Sequence, residues 1–392
     1  MSLTSTFDES GSVMAAVARV WAEAVAVPVD KVTRMSTRLL NNRDYLLVHV
    51  ETEDGERGLG YTYAGTAGGV VAQQAVTDLF APMLTGADPD DVVALWEAMY
   101  QEALLTGRRG VVVRALAAID IALWDLSAKR KGVPLGVLLG GSLKPVPAYA
   151  SGGYYRPDDG PWAKAVSKEI AWDRDQGFSD HKIKVGGLSV AEDAERVAAG
   201  VEALGPGGRL ALDCNNAYPT AAEAHRAIRA FEAASGSTGL WWVEEPLSPE
   251  DVDGHARLVD SVDTPIATGE IHQTRWEFRD LIQRRAADIL QPDAAVLGGV
   301  TEWMRVARAA EVFGVPVAPH WHANLHVHLA AATPGCLTVE FFALEKDIFN
   351  FEKLLSEETR LTSQDGHVAV PDRPGLGIEL DEEAVRRFTI TR

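Results

Sequence analysis

From about Pro145 onward the chain repeats one unit: a short apolar run, a polar or glycine-containing turn, then an alanine-rich stretch of helical period. The runs end near Ser151, Lys184, Asp213, Glu244, Gly269, Gln291, Pro319 and Glu340, eight ends spaced by roughly 20 to 35 residues. Strands alternating with helical crossovers pair in parallel, because only a crossover of that length returns the chain to the same end of a sheet. A closed (β/α)8-type barrel is one way to arrange them, and a doubly wound open sheet is the other.

Ahead of the repeats the periodicity differs. Arg19 to Tyr63 reads as antiparallel strands, with a break expected at Asn41-Asn42 and a hairpin turn at Glu53-Asp54-Gly55. From Ala67 to about Lys131 the period is helical, ending in an apolar stretch through Leu126 that reads as a buried helix stopped by Gly132 and Pro134. Gly366 to Gly377 reads as a short strand and turn returning to the first domain. A chain of 392 residues thus divides into one large domain and a smaller companion.

Charge narrows the partners. Thirty-seven basic against 56 acidic residues give a net charge of -19, the wrong sign for a phosphate backbone or an anionic membrane surface. Neither nucleic acid nor a membrane is expected as a partner, and a homo-oligomer is expected. Cys214 and Cys336 form neither a disulfide framework nor a zinc pattern, which fits a reducing cytoplasm. The apolar run Val13 to Val29 is broken by Arg19 and Glu23 and preceded by acidic Asp8 and Glu9, against an export signal.

The strand ends carry ionisable side chains: Lys184, Asp213, Glu244, Asp293, His320 and Glu340, with Glu270 one residue beyond Gly269. Parallel barrel strands open onto one face, so these groups converge there. Asp213, Glu244 and Glu270 would repel one another without a cation between them, and oxygen-only ligands favour Mg²⁺ or Mn²⁺ over zinc. Strand alternation aims Lys182 and Lys184 the same way, where a partly desolvated amine next to a second cation acts as a base; surface lysines at a fraying strand end are the alternative. Asp293 can orient the imidazole of His320. His322, His326 and His328 follow and invite a rival transition-metal reading, but His326 and His328 are two apart in an expected helix and do not share a face; pocket lining or helix packing suits them better.

The chain resembles the enolase superfamily, and within it the mandelate racemase subgroup. The resemblance rests on Gly58-Leu59-Gly60, Ala118-Ile119-Asp120-Ile121-Ala122-Leu123-Trp124-Asp125, Lys182-Ile183-Lys184, Asp213-Cys214-Asn215, Glu244-Glu245-Pro246, Gly269-Glu270, Gln291-Pro292-Asp293 with Gly298-Gly299, Pro319-His320, and Pro374-Gly375-Leu376-Gly377. It implies an α/β chain: an α+β capping domain at 1–144, completed by 366–392, over a modified (β/α)7β TIM barrel at 145–365. It also implies Mg²⁺ and abstraction of the α-proton of a carboxylate through an enediolate. Lys184 would be the base on one face, its pKa lowered by Lys182, and His320 with Asp293 the acid/base on the other. Glu340 would be a protonated acid donating to the substrate carboxylate, while Asn215 and Glu245 would orient ligands or water.

Two bases permit dehydration of an acid sugar to a 2-keto-3-deoxy acid, the favoured reading, or racemisation or epimerisation of a 2-hydroxy acid, or cycloisomerisation. A non-catalytic metal-binding barrel is the reading from another class. Expected substrate contacts are Arg38, Tyr61 and Tyr63 from the cap, Tyr154, Tyr155 and Arg156 after the first barrel strand, and Trp321, His322 and Asn324 beyond the histidine.

Overall fold

The structure, a computed structural model, describes residues 15–391. Asp8, Glu9 and Val13 lie outside the described residues, and from Val17 onward the apolar run is strand. Strands β1 (Val17–Arg34), β2 (Leu39–Thr52) and β3 (Arg57–Tyr63) form an antiparallel sheet. Alternation along β2 divides its side chains between two cores: Leu46, Val48 and Val50 meet the helices Val92–Thr106 and Val111–Arg130, whereas Tyr45 and Leu47 join a core shared with the barrel. The second helix approaches β3 so closely that a Cβ on Gly60 would sit 1.9 Å from the Ala118 carbonyl oxygen, which restricts that position to glycine.

The hairpin turn follows Thr52 as the sequence requires, with Gly55 at φ 87°. The break expected at Asn41-Asn42 is not there. Asn42 pairs with Pro28 inside the ladder, its amide held by Asp44 and the Thr66 carbonyl, and the strands instead part at residues 35–38. That loop reaches the barrel: Ser36 Oγ donates to the Val185 carbonyl (2.5 Å) and Arg34 to that of Gly187 (2.6 Å).

Strands β4 (Val146–Gly152), β5 (His181–Lys184), β6 (Leu210–Asp213), β7 (Val243–Glu244), β8 (Ile266–Thr268) and β9 (Ile289–Leu290) run parallel in chain order. β10 (Val339–Phe341) pairs in parallel with β4, and Val317, bridging to both Leu290 and Cys336, carries the ring from β9 towards β10. Helices Trp162–Asp175, Val190–Leu204, Ala221–Ser235, Val252–Val259, Thr274–Gln283, Val300–Phe313 and Ala323–Ala331 follow the first seven strand positions, so the barrel is (β/α)7β.

The eighth run lacks the helical stretch that the repeat suggested. After β10 come 3-10 turns at Leu344–Lys346, Asn350–Leu354 and Glu357–Thr359. This segment is committed to the cap instead: Arg43 Nε donates to the Ile348 carbonyl (2.8 Å) and the Tyr45 hydroxyl to Asn350 Oδ1 (3.0 Å).

The final segment is divided. A hairpin of β11 (Ser363–Gln364) and β12 (His367–Val368) pairs with the start of β4, while Leu376 N–H bonds Asp125 (2.7 Å) and Ile390 N–H bonds the Ala24 carbonyl (2.9 Å) in the cap. Among the described residues no helix is long and apolar enough to cross a membrane.

Candidate active site

Period-two alternation on β6 sends Leu210 and Leu212 outward to the helices and Ala211 and Asp213 inward. Register then lines up Lys184 beside Asp213 and Asp213 beside Glu244. With Glu270, just beyond β8, these carboxylates present oxygens within 4.8 Å of one another. Asn215 donates to both Asp213 oxygens, through its backbone N–H (2.9 Å) and its amide (3.1 Å). Glu245 lies beside them at φ 43°, both of its carboxylate oxygens buried and, among the described residues, without a hydrogen-bond partner.

Burial pushes Glu270 and Glu245 well above the usual carboxylate range, and the neighbouring negative charges push the same way. Glu270 Oε2 has no hydrogen-bond partner among the described residues, and the His320 ring nitrogen lies 3.3 Å from it. Buried carboxylates with unfilled oxygens and no thiolate among them are a donor set suited to a hard divalent cation, Mg²⁺ or Mn²⁺. Glu244 is held from three directions, by Lys182 on both oxygens (2.7 and 2.8 Å), Gln291 (2.6 Å) and Trp242 (3.1 Å). Gln291 and Trp242 received no role from sequence. Trp242 stands two positions before Glu244, so strand alternation placed it inside the barrel.

Both lysines are buried and point inward, not frayed at a surface. The expectation of a lowered Lys184 pKa is corrected. Burial, the largest single influence, acts downward, as does Lys182, but the Asp213 carboxylate in direct contact, with Tyr154 and Glu270, outweighs them together and holds the Lys184 ammonium above its ordinary value. Lys182 is raised too: burial is overcome by Glu244 and Glu340.

A second correction concerns Glu340. Burial favours its protonated form, yet Lys182 Nζ at 2.8 Å drives its pKa down to about 2, and Oε2 accepts the Trp321 N–H at 2.8 Å. In this arrangement Glu340 is an ionised acceptor.

His320 Nδ1 lies 3.0 Å from Asp293 Oδ2. Asp293 caps the short helical turn Ala294–Leu297, accepting the Ala295 N–H (2.9 Å), and despite burial the imidazoles of His322 and His320 hold it ionised. An ionised carboxylate only accepts, so Nδ1 carries the hydrogen and Nε2 is the atom of His320 available for proton transfer. Around the ring the order is Lys184, Asp213, Glu244, Glu270, Asp293, His320, which sets the carboxylates between the two candidate bases.

The expected substrate contacts fare unevenly. Tyr154 stands over Lys184, Nζ 5.0 Å from its ring centroid, and Arg38 is exposed on the cap loop. Tyr61 and His322 are fully buried and do not face the mouth: Tyr61 stacks on Phe351 (4.2 Å), and His322 packs behind Asp293 against Tyr61 and Phe349. β3 is covered on both faces, by the helix Val111–Arg130 and by the barrel, so its alternation leaves no open side at Tyr61. Tyr155 bonds Asp193, Arg156 bonds the Lys346 carbonyl, and Asn324 bonds Glu352. Arg114, missed from sequence because it lies in the first turns of a cap helix, donates to the Tyr63 carbonyl (2.5 Å) and acts electrostatically on Asp293 and Glu270. A cavity of about 470 Å³ lies beside Tyr154, lined by Arg156, Trp162, Trp172 and Lys346, but it borders none of the three carboxylates.

His326 and His328 are packing residues. His328 accepts the Gly136 N–H (3.2 Å) and faces the Leu376 carbonyl, and His326 Nε2 accepts the Ala294 N–H (3.0 Å). Desolvation lowers their pKa values to about 4 and about 3.

A capped barrel with three converging carboxylates, a buried lysine pair and an Asp-His pair at its mouth defines a class of metal-dependent enzymes acting on carboxylates. The chain belongs to the mandelate racemase/muconate lactonizing enzyme family of the enolase superfamily. Residues 18–140 match the mandelate racemase/muconate lactonizing enzyme N-terminal domain, and residues 165–384 match the enolase C-terminal domain-like family. The chain is similar to the L-talarate/galactarate dehydratase of Salmonella typhimurium, 35% identical over 371 residues, covering 93% of this chain and 88% of that one. It is similar to the arabinonate dehydratase of Saccharolobus solfataricus, 35% identical over 352 residues, covering 88% and 90%. A solved racemase from Streptomyces coelicolor with bound magnesium superposes with a TM-score of 0.87 at 31% identity, covering 95% of this chain and 100% of that one.

Proposed function

We propose that this chain is a Mg²⁺-dependent acid-sugar dehydratase that removes the α-proton of a sugar carboxylate and expels the β-hydroxyl, giving a 2-keto-3-deoxy acid. The observation that carries the reading is the ring order, with Lys184 on one side of Asp213, Glu244 and Glu270 and the Asp293-His320 pair on the other. Asp213, Glu244 and Glu270 would hold the cation, which when bound supplies positive charge to the substrate carboxylate as it becomes an enediolate.

In this reading Lys184 Nζ takes the α-proton from one face and His320 Nε2 returns a proton to the departing hydroxyl on the other. Lys184 needs a free amine for that role, and Asp213 shared with a cation would stabilise its ammonium less. Lys182 keeps Glu244 and Glu340 in place. The similar dehydratases act on sugar acids by name, which supports a substrate of that kind.

The division into cap (1–144 with 366–392) and barrel (145–365) belongs to the same proposal. The test is a library of acid sugars, galactarate and arabinonate among them, incubated with the protein and Mg²⁺ and assayed for 2-keto product. Optical change without ketone would instead indicate racemisation or epimerisation. No exchange and no product across the library would leave a binding role.

A further inference from the structure

We infer that His322 is a positioning residue that fixes Asp293, and through it the reactive nitrogen of His320. The inference deepens the proposed reading, since it rests on His320 being an acid/base group. His322 Nδ1 lies 3.0 Å from both oxygens of Asp293, and His320 Nδ1 lies 3.0 Å from one of them. One carboxylate therefore serves two imidazoles. Because Asp293 is ionised and can only accept, both Nδ1 atoms carry hydrogen.

Among the described residues Asp293 is the one hydrogen-bond partner of the His322 ring. That ring is fully buried, its Nε2 has no hydrogen-bond partner among the described residues, and it packs against the rings of Tyr61 (centroids 5.5 Å), Phe349 (6.0 Å) and His326 (6.2 Å). Burying one polar ring atom without a protein partner is costly, and an apolar residue would fill the volume without that cost. What an apolar residue could not supply is the bifurcated donation to Asp293. With Ala295 N–H on Oδ1, this donation removes the carboxylate's freedom to rotate, so Oδ2 meets His320 in one orientation. Tyr61, from the cap strand β3, closes the pocket behind His322 and makes the arrangement dependent on the docked cap.

The expected effect is selective. His322→Leu removes the donor, and His322→Asn restores an N–H at the Nδ1 position. In the Mg²⁺-loaded protein, His322→Leu should lower turnover of galactarate on the order of 10–100-fold with KM within about twofold, the scale for losing a group that orients a reacting one. His322→Asn should stay within about threefold of wild type. Proton exchange through the Lys184 face, followed in D₂O, should be unchanged in both.

An independent readout needs no substrate. Protein labelled with 15N-histidine should show low-field Nδ1–H resonances from His320 and His322. In His322→Leu one disappears and the other shifts or exchanges faster; His322→Gln, of similar volume with the donor displaced, should match it if the leucine variant folds poorly. A His320 resonance unmoved in position and exchange rate, with turnover retained, overturns the inference. If wild type turns over no acid sugar, the reaction assignment fails while the resonances still decide the role of His322.

Discussion

Lys182 Nζ lies 2.7 Å from Glu244 Oε1 and 2.8 Å from Glu340 Oε1, so one buried ammonium ties together carboxylates from opposite parts of the barrel, β7 and β10. The link makes Glu340 an acceptor and gives its titration a sign. Its pKa falls from the ordinary 4.5 to about 2 on folding, so its stabilising contribution is complete above 4.5 and is lost as pH falls towards 2. Glu340→Gln should destabilise the protein by about 1–3 kcal/mol near neutrality, because Lys182 keeps only part of its compensation. The gap to wild type should close between pH 4.5 and 2 in urea unfolding; a gap independent of pH would contradict the pairing.

Glu270 gives the opposite sign. Burial and the charges of Glu245, Asp213 and Glu244 raise its pKa, so the metal-free protein should gain stability as pH is lowered towards the ordinary carboxylate range, while Mg²⁺ binding weakens in the same window. Glu270→Gln should leave metal-free stability unchanged or higher and abolish the Mg²⁺-induced rise in Tm. For wild type that rise corresponds to about 2.7 kcal/mol at a hundredfold excess of Mg²⁺ over Kd. A variant still stabilised by Mg²⁺ would place the ion elsewhere.

The cap loop at 35–38 rests on the loops after β5 and β6, through Ser36 to the Val185 carbonyl and Thr37 to that of Asn215 (3.3 Å). Removing both hydroxyls costs about 0.5–1.5 kcal/mol per bond and falls on closure over the mouth, not on the core. The double variant Ser36→Ala/Thr37→Ala should raise KM on the order of tenfold with Tm within a few degrees of wild type. A fall in Tm with KM unchanged would make the loop a structural clamp.

Asp125 secures the cap to the C-terminal segment, accepting N–H groups from Leu59 (2.8 Å) and Leu376 (2.7 Å) and an ion pair from Lys129 (2.6 Å). Asp125→Ala strands two buried donors and should cost about 2–4 kcal/mol in unfolding free energy. Residual folded protein should keep its Mg²⁺ response.

How much of this was legible in the sequence depends on how local the cause is. Asp213, Glu244 and Glu270 could be placed because each follows an apolar strand, and parallel strands share one open end. Lys182 and Lys184 followed from alternation. What the spacing could not give is the identity of cross-strand neighbours. Register puts Asp213 against Lys184, which reverses the expected pKa shift, and the salt bridge to Lys182 does the same for Glu340. Tyr61 was misplaced because a strand covered on both faces has no exposed side. The missing eighth helix reflects docking: residues after β10 bond Arg43 and Tyr45 of the cap, contacts across some 300 positions of chain.

The central claim is that two proton-transfer groups flank one cation site, and α-proton exchange in D₂O tests it most directly. With galactarate and Mg²⁺, Lys184→Ala and His320→Asn should each lose product formation by about 10²–10⁴-fold, the usual weight of a general acid or base. Lys184→Ala should also lose α-proton exchange, whereas His320→Asn should keep it, and Mg²⁺ should still raise Tm in both. Wild-type exchange and turnover in both variants would contradict the account.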